Sequence, residues 1–308
     1  MIKGSSLLIS AGLFLFYMPA VAQNSQPANT VECKNIIVMT CNLRTPKASD
    51  SKKGDGWADR KDLCIETIKN QHPDLIGFQE CSKTQFDDLH AAFPDFLTFS
   101  TNGESALSED PYEVIFVSPR FSMITEAGYW LSETPYIPGS RSWDNSKHSR
   151  VVNWMRLRDK ASGIQFRILN THFDQKGQMA REHSAEMVVA DAKAFPPDFP
   201  QIFTGDLNAD RPNKALDILE AGGWQDTWTL LYGPKEPGFT AHDFLGVNFV
   251  PKGKLAHAGK IDWIFCRGNI TPISSKIIRD QRAGHYPSDH FFVVAEVQVK
   301  PSSAAEAQ

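Results

Sequence analysis

The sequence predicts an α/β fold, and three observations carry that prediction. The run Ile36-Ile37-Val38-Met39-Thr40-Cys41 is short and almost continuously apolar, the pattern of a strand covered on both faces. From Trp57 to about Gln71, Leu63, Ile65, Ile68 and their neighbours recur at helical spacing until His72-Pro73-Asp74 interrupts them. Leu75-Ile76-Gly77-Phe78-Gln79 is then strand-like again and runs straight into Glu80. Strand, helix and strand in succession imply parallel pairing. That pairing brings the polar residues at the two strand ends, Asn42 and Glu80, to one edge of the sheet. A carboxylate beside an amide oxygen is a hard-oxygen site of the kind magnesium takes.

At 308 residues the chain is long enough for one large α/β domain or two small ones. A formal charge of −4 gives no support for a broad basic surface, which sequence-independent binding of long nucleic acid ordinarily needs. The first 22 residues read as a secretory signal: Lys3, an apolar run Leu7 to Met18, then Ala20-Val21-Ala22 as a small-x-small site. The run is too short to span a membrane comfortably. Export to the periplasm or beyond, with cleavage near Ala22, is the expectation. Residues 23–34 read as a polar leader, 35–300 as the folded domain and 301–308 as a disordered tail. Five cysteines, Cys33, Cys41, Cys64, Cys81 and Cys266, are odd in number and lack close pairing, so neither a zinc site nor a disulfide scaffold is indicated.

Further elements follow in order. Gln85 to Phe93 reads as a helix, Val114 to Val117 and Phe121 to Trp130 as strands, and Val151 to Leu157 as an alternating strand preceded by Arg150. A turn at Ala161-Ser162-Gly163 leads to a strand from Gln165 to Asn170, with His172 just past its end. Arg181 to Ala194 is a helix ended by Pro196-Pro197. In Gln201 to Asp210 an apolar strand stops at Gly205, and Asp206 and Asn208 flank Leu207. In an extended chain the two polar side chains share a face while Leu207 turns to the core. Lys214 to Glu220 is helical and Trp224 to Trp228 short and irregular, while 232–259 reads as a long surface loop. Asp262 opens the strand Lys260 to Phe265, and Asp289-His290 precedes the last strand, Phe291 to Val299. Trp130, Trp143 and Trp228 are candidates for a pocket wall, and Trp154 and Trp263 for core.

Eight polar residues thus stand at strand ends. Cys41-Asn42, Gly77-Phe78-Gln79-Glu80, Asn170-Thr171-His172-Phe173-Asp174, Gly205-Asp206-Leu207-Asn208, Ile261-Asp262-Trp263-Ile264 and Ser288-Asp289-His290, in this order, resemble the endonuclease/exonuclease/phosphatase (DNase I-like) superfamily. Trp130 to Pro135 and Arg150 resemble its bacterial secreted branch. The resemblance implies a four-layer α/β sandwich, two mixed β-sheets packed face to face with helices outside, and so corrects a purely parallel picture. It implies Glu80 as ligand to Mg²⁺ or Mn²⁺, with Asn42 and Asp289 assisting. It implies His290, oriented by Asp262, as general base or phosphate-orienting group, with Asp206 as the alternative for activating water. Asn208 and His172 would donate to phosphoryl oxygens, His172 also to the leaving group, and Arg150 would contact phosphate. Glu113 receives no role.

The function so implied is a secreted, divalent-metal-dependent phosphoester hydrolase, monomeric and not inserted in membranes. Phosphodiesters, in nucleic acid or a phospholipid headgroup, are the first expectation, and sugar or inositol phosphate monoesters the alternative. A non-catalytic phospho-ligand module is the rival from another class. A zinc hydrolase using His172, His290 and aspartates lacks the HExxH spacing.

Overall fold

The computed structural model describes Met1 and residues 35–101, 109–141, 143–144, 148–252 and 257–303. Apart from Met1, the expected signal and leader lie outside the described residues. The first half contains β1 (Ile36–Asn42), α1 (Ala48–Ser51), α2 (Trp57–Lys69), β2 (Leu75–Cys81), α3 (Lys83–Ala92), β3 (Leu97–Phe99), β4 (Tyr112–Val117) and β5 (Phe121–Trp130). Then come β6 (Val151–Asp159), β7 (Gln165–His172), α4 (Gln178–Ala192), β8 (Gln201–Asp206), α5 (Lys214–Ala221), β9 (Gln225–Asp226) and α6 (Thr227–Tyr232). The chain closes with β10 (Asp262–Arg267), β11 (Ile270–Ile278) and β12 (Phe292–Val299).

These strands make two six-stranded sheets, ordered β11-β12-β1-β2-β4-β3 and β5-β6-β7-β8-β10-β9. Each is mixed. One parallel pair, β1/β2 or β7/β8, sits inside an otherwise antiparallel sheet. Each parallel pair is joined through a helix, α2 or α4, as parallel strands require. Ile36, Val38, Phe166, Ile168, Ile202 and Val293 belong to an apolar layer drawn from both sheets. A second layer joins the first sheet to α2 and α3 through Cys41, Cys64, Ile68, Leu89 and Phe116. A third joins the second sheet to α4 and α5 through Leu169, Val188, Phe203 and Leu219. Helices outside and two sheets within give the four-layer sandwich.

Near the carboxyl ends of the parallel strands the inter-sheet layer turns polar. Gln79 Nε2 donates to Asn170 Oδ1 at 2.7 Å, Thr204 Oγ1 donates to the same oxygen at 3.1 Å, and Asn170 Nδ2 donates to Phe78 O at 2.8 Å. All three side chains are fully buried, and every bond pins one sheet to the other or one strand to its neighbour. Gly77 makes the room: a Cβ there would stand 2.2 Å from Thr204 Oγ1 and 2.5 Å from Asn170 Oδ1.

Four expectations are corrected. β11 is a strand that the sequence hides, because Pro272 sits inside it; the Pro falls where the register shifts on an edge strand, the place a sheet tolerates it. The irregular piece at Trp224–Trp228 is β9 and the start of α6, whose first turn is capped by Asp226 Oδ2 accepting from Thr229 N at 3.0 Å. The tail is docked at its start, since buried Ser302 donates to Asp198 at 2.7 Å; residues 304–308 lie outside the described residues. The loop 232–259 is not all surface: Thr240 and His242 are fully buried. Cys41, Cys64, Cys81 and Cys266 are free and buried, and Cys33 lies outside the described residues.

Candidate active site

The sheet order decides which residues meet. β1, β2, β7 and β8 end on one rim, and β10 and β12, antiparallel to them, begin there. Asn42, Glu80, His172 and Asp206 therefore stand at strand ends, Asp262 at a strand start, and His290 two residues before one. His172 and Asp206 share one rung of the second sheet, and Asp206 and Asp262 the next pairing.

Glu80 is aimed by a bulge. Phe78 pairs with Val114 and Cys81 with Tyr112, so Gln79 and Glu80 together oppose the single residue Glu113. The extra residue lets Gln79 point inward to Asn170 and Glu80 outward into a cleft. Glu80 adopts φ +58°, a left-handed backbone whose cost of about 1–3 kcal/mol is a common mark of functional positions. Its Oε2 accepts from Thr45 N at 2.9 Å. Burial pushes the Glu80 carboxyl up, but the Thr45 N–H and the charges on His290 and Arg150 hold it below its ordinary value.

Asp206 and Asn208 come together by a turn rather than by extended alternation. Asn208 has φ +46°, and its N–H donates to Asp206 Oδ1 at 2.9 Å. The turn chemistry of Gly-Asp-Leu-Asn and its placement in the site are one feature. Leu207 is fully buried, as its pattern requires. Asn208 Nδ2 donates to Phe173 O at 3.1 Å and meets His172 Nε2 at 2.9 Å. With Nε2 accepting, the His172 proton resides on Nδ1, which is buried without a hydrogen-bond partner. Burial, and then the positive charges of Arg150 and His290, push the His172 pKa well down, so it is neutral.

His290 Nδ1 donates to Asp262 Oδ2 at 2.9 Å and lies 3.9 Å from Asp206 Oδ2. Burial opposes the imidazolium, but Asp262, Asp206 and Asp289 outweigh it and raise its pKa well above the usual histidine value. Asp206 is raised to about 7, first by burial and then by the Asp262 charge. Ligand atoms of Asp206, Asp262 and His290 lie within 4.8 Å of one another. The His290–Asp262 contact is of hydrogen-bond length, so Nδ1 carries a proton and is not itself a ligand atom.

The cation site needs a finer reading. Asn42 Oδ1 accepts from Arg44 N at 2.9 Å, which turns its amide nitrogen toward Asp206 Oδ2, at 2.9 Å, and Glu80 Oε1, at 3.4 Å. In this arrangement Asn42 donates to both carboxylates while its oxygen accepts from a backbone N–H. Asp289 is paired with Arg44 Nη1 at 2.9 Å, and burial raises its pKa. Glu80 faces the cleft, as does Glu113. Hard oxygen donors with open space suit a magnesium-like ion, which keeps several of its waters.

The cleft holds about 240 Å³ and is lined by Glu80, Tyr112, Glu113, His148, Arg150, His172 and Gln175, among others. Arg150 is 9% exposed and its Nε is buried without a hydrogen-bond partner. Trp130, Trp143 and Trp228 do not line it. Trp130 is core, Trp143 stacks on His183 with centroids 4.6 Å apart, and Trp228 Nε1 donates to Lys235 O at 2.9 Å. Trp263 is core as expected, and Trp154 packs partly buried against the same cluster. Glu113, His148 and Gln175 carry no sequence signal that separates them from ordinary strand-end and loop polar residues.

The sequence profile of the endonuclease/exonuclease/phosphatase family matches residues 39–290. Among solved structures, a family protein from Bacteroides thetaiotaomicron is 27% identical, with a TM-score of 0.75 over 87% of this chain and 99% of that one. A mannosyl-6-phosphatase from the same organism is also 27% identical, with a TM-score of 0.72 over 85% of this chain and 99% of that one. An uncharacterised protein of Acanthamoeba polyphaga mimivirus is 29% identical over 223 residues, which is 68% of this chain and 80% of that protein. With the two mixed sheets and the rim of carboxylates and imidazoles already in place, the chain belongs to the endonuclease/exonuclease/phosphatase family.

Proposed function

We propose that the chain is an exported, monomeric phosphoester hydrolase, dependent on Mg²⁺ or Mn²⁺, that acts on compact phosphate monoesters of the sugar-phosphate type. The observation that carries this reading is the placement of Arg150 and His172 together on the cleft wall, each with a buried nitrogen, Arg150 Nε and His172 Nδ1, that lacks a hydrogen-bond partner. Buried donors are rarely left unpaired, and a phosphate offers both of them oxygens. Glu80 would hold the ion, with Asp289 as the second carboxylate nearby. When bound, the ion supplies positive charge to the phosphoryl oxygens and to the attacking water.

The protein's own groups divide the remaining work. Asp206, raised to about 7, sits where a carboxylate accepts a proton from water near neutral pH. His290, protonated and held by Asp262, offers positive charge to the phosphoryl group rather than a base. His172 Nδ1 and Arg150 donate to non-bridging oxygens, and His172, neutral with its pKa well down, has no proton to spare for the leaving oxygen.

Cleft size favours a monoester over the diester first expected. About 240 Å³ is below the usual range of drug-sized pockets, near 300–1,000 Å³, and suits a single sugar phosphate. Carboxylates on the lining accept well from sugar hydroxyls. Similarity to a mannosyl-6-phosphatase supports the same class. The pattern of residues 1–22 supports export, and among the described residues no helix is long and apolar enough to cross a membrane.

Hydrolysis of hexose 6-phosphates and p-nitrophenyl phosphate, against bis-p-nitrophenyl phosphate and DNA or RNA oligomers, tests the reading. The expected result is monoester turnover with Mg²⁺ or Mn²⁺ that EDTA abolishes. Faster diester or oligonucleotide turnover would overturn the substrate class. Phosphate binding with no turnover in any metal would favour a binding module.

A further inference from the structure

Asp262 and His290 belong to different sheets: Asp262 opens β10 of the second, and His290 leads into β12 of the first. Their 2.9 Å hydrogen bond therefore crosses the sandwich. Apolar packing between sheets sets their spacing loosely, while a hydrogen bond tolerates only a few tenths of an ångström. The Gln79–Asn170 and Asn42–Asp206 hydrogen bonds tie the sheets together elsewhere on this rim, and a separate element ties them beside Asp262 and His290.

The segment Thr240–His242, inside the stretch expected to be surface loop, occupies that position. Against the first sheet it forms a short antiparallel ribbon: Ala241 pairs with His290, His242 N donates to Asp289 O at 2.7 Å, and Phe291 N donates to Thr240 O at 2.9 Å. Toward the second sheet, Thr240 Oγ1 accepts from Ile261 N at 3.0 Å and from Asp262 N at 3.2 Å. Thr240 is fully buried. One hydroxyl thus grips the backbone of Asp262 while its own main chain grips the backbone flanking His290.

The far side of the segment is held as well. His242 Nδ1 accepts from Gly246 N at 3.1 Å, and its ring lies against Phe291 with centroids 4.0 Å apart. Burial, with the His290 charge adding to it, pushes the His242 pKa down to about 3, so the ring is neutral and acts as packing.

We propose that Thr240 is a positioning residue for the hydrolysis: its hydroxyl sets the Asp262–His290 pair across the two sheets. This rests on the phosphoester-hydrolase reading for its kinetic consequence but not for its structural one. Removing the hydroxyl leaves the Ile261 and Asp262 N–H groups without an acceptor and lets β10 shift relative to His290. Displacements of this size cost one to two orders of magnitude in rate when they fall on groups that orient a reacting centre.

The test compares Thr240→Val, Thr240→Ala and Thr240→Ser in the full chain with the phosphomonoester that the wild type turns over. Val is nearly isosteric but has no acceptor; Ala leaves space for a water and keeps a foldable variant available if Val does not fold. Expected is a fall in kcat of about 10–100-fold for Val and Ala with KM within about twofold, and recovery by Ser to within about threefold. The proton NMR signal of the His290 Nδ1–H, shielded from exchange by Asp262, should broaden or move in Val and Ala and stay in place in Ser. Wild-type kcat and an unmoved His290 signal in Val or Ala, even with a lowered Tm, would overturn the proposal and leave Thr240 a purely structural residue. A wild-type protein with no phosphoester turnover defeats the proposed function, and the His290 signal still decides whether Thr240 positions the pair.

Discussion

Asp206 and Asp262 face each other across one rung of the β8–β10 pairing, both buried, with His290 placed 3.9 Å from one and 2.9 Å from the other. Two carboxylates at such a rung repel when both are ionised, and a single imidazolium cannot neutralise both. Asp262 takes the direct hydrogen bond, and Asp206 bears the cost as a pKa raised to about 7 from 3.8. A carboxyl whose folded pKa is raised binds a proton more tightly folded than unfolded. Its stabilising contribution is complete below about pH 4 and is lost as pH rises through about 7. Asp206→Asn should therefore flatten the fall in Tm between pH 5 and 8 and be more stable than wild type at pH 8, while turnover collapses. Thermal scans across that pH range check it; a variant that loses stability equally at every pH would contradict the raised pKa.

Removing the imidazole separates stability from chemistry. In His290→Ala the carboxylate of Asp262, fully buried, loses its partner. Leaving one member of a buried ion pair costs about 3–5 kcal/mol, and losing a group that acts directly on the phosphoryl centre costs about 10²–10⁴ in rate. Adding Asp262→Asn to His290→Ala should recover much of the stability and none of the turnover. Urea midpoints and kcat, measured on the two single variants and the double, decide it.

The rim was readable from sequence because it uses strand ends. Asn42, Glu80, His172, Asp206 and His290 each follow or precede an apolar run, and in an α/β chain such ends converge. Asn208 was found by extended alternation with Asp206, although its backbone is left-handed and a turn brings the two together. What sequence could not supply is anything set by strand register or by individual hydrogen bonds. Glu113 looks like an ordinary strand start until the bulge at Gln79–Glu80 places it opposite that pair. Asn42 has the right type and place for a ligand, and only the Arg44 N–H reveals that its oxygen is already engaged. Thr240 lies in a stretch with no periodicity, and its role depends on two backbone N–H groups about twenty residues away. The fold's edge strand β11 was masked by Pro272, a residue that argues against a central strand but not against a bulged edge.

The donor reading of Asn42 and the ligand reading of Glu80 make opposite forecasts for metal binding. Glu80→Gln removes the charged oxygen facing the cleft and should weaken Mg²⁺ or Mn²⁺ binding by about an order of magnitude or more. Asn42→Ala should leave that affinity within a few-fold, because its oxygen is spent on Arg44 N, and should instead disturb Asp206, to which it donates at 2.9 Å. Calorimetric titration of each variant with the metal alone gives the answer without reference to substrate. Equal losses for both variants would restore Asn42 as a ligand.

The polar pin beneath the site sets a last expectation. Gln79, Asn170 and Thr204 share one oxygen, Asn170 Oδ1, in a fully buried layer, and the absent side chain of Gly77 is what admits them. In Gly77→Ala the new methyl group meets Thr204 Oγ1 at 2.2 Å and Asn170 Oδ1 at 2.5 Å, too close to coexist. Overpacking of this kind costs about 1–3 kcal/mol, and the displacement passes directly into Gln79 and the bulge that aims Glu80. Gly77→Ala should therefore lose both stability and metal-supported turnover. Thr204→Ala in the same chain removes the nearer clash and should return part of the stability. Urea midpoints of the two variants measure the coupling, and strictly additive losses would show that Gly77 and Thr204 do not compete for the same space.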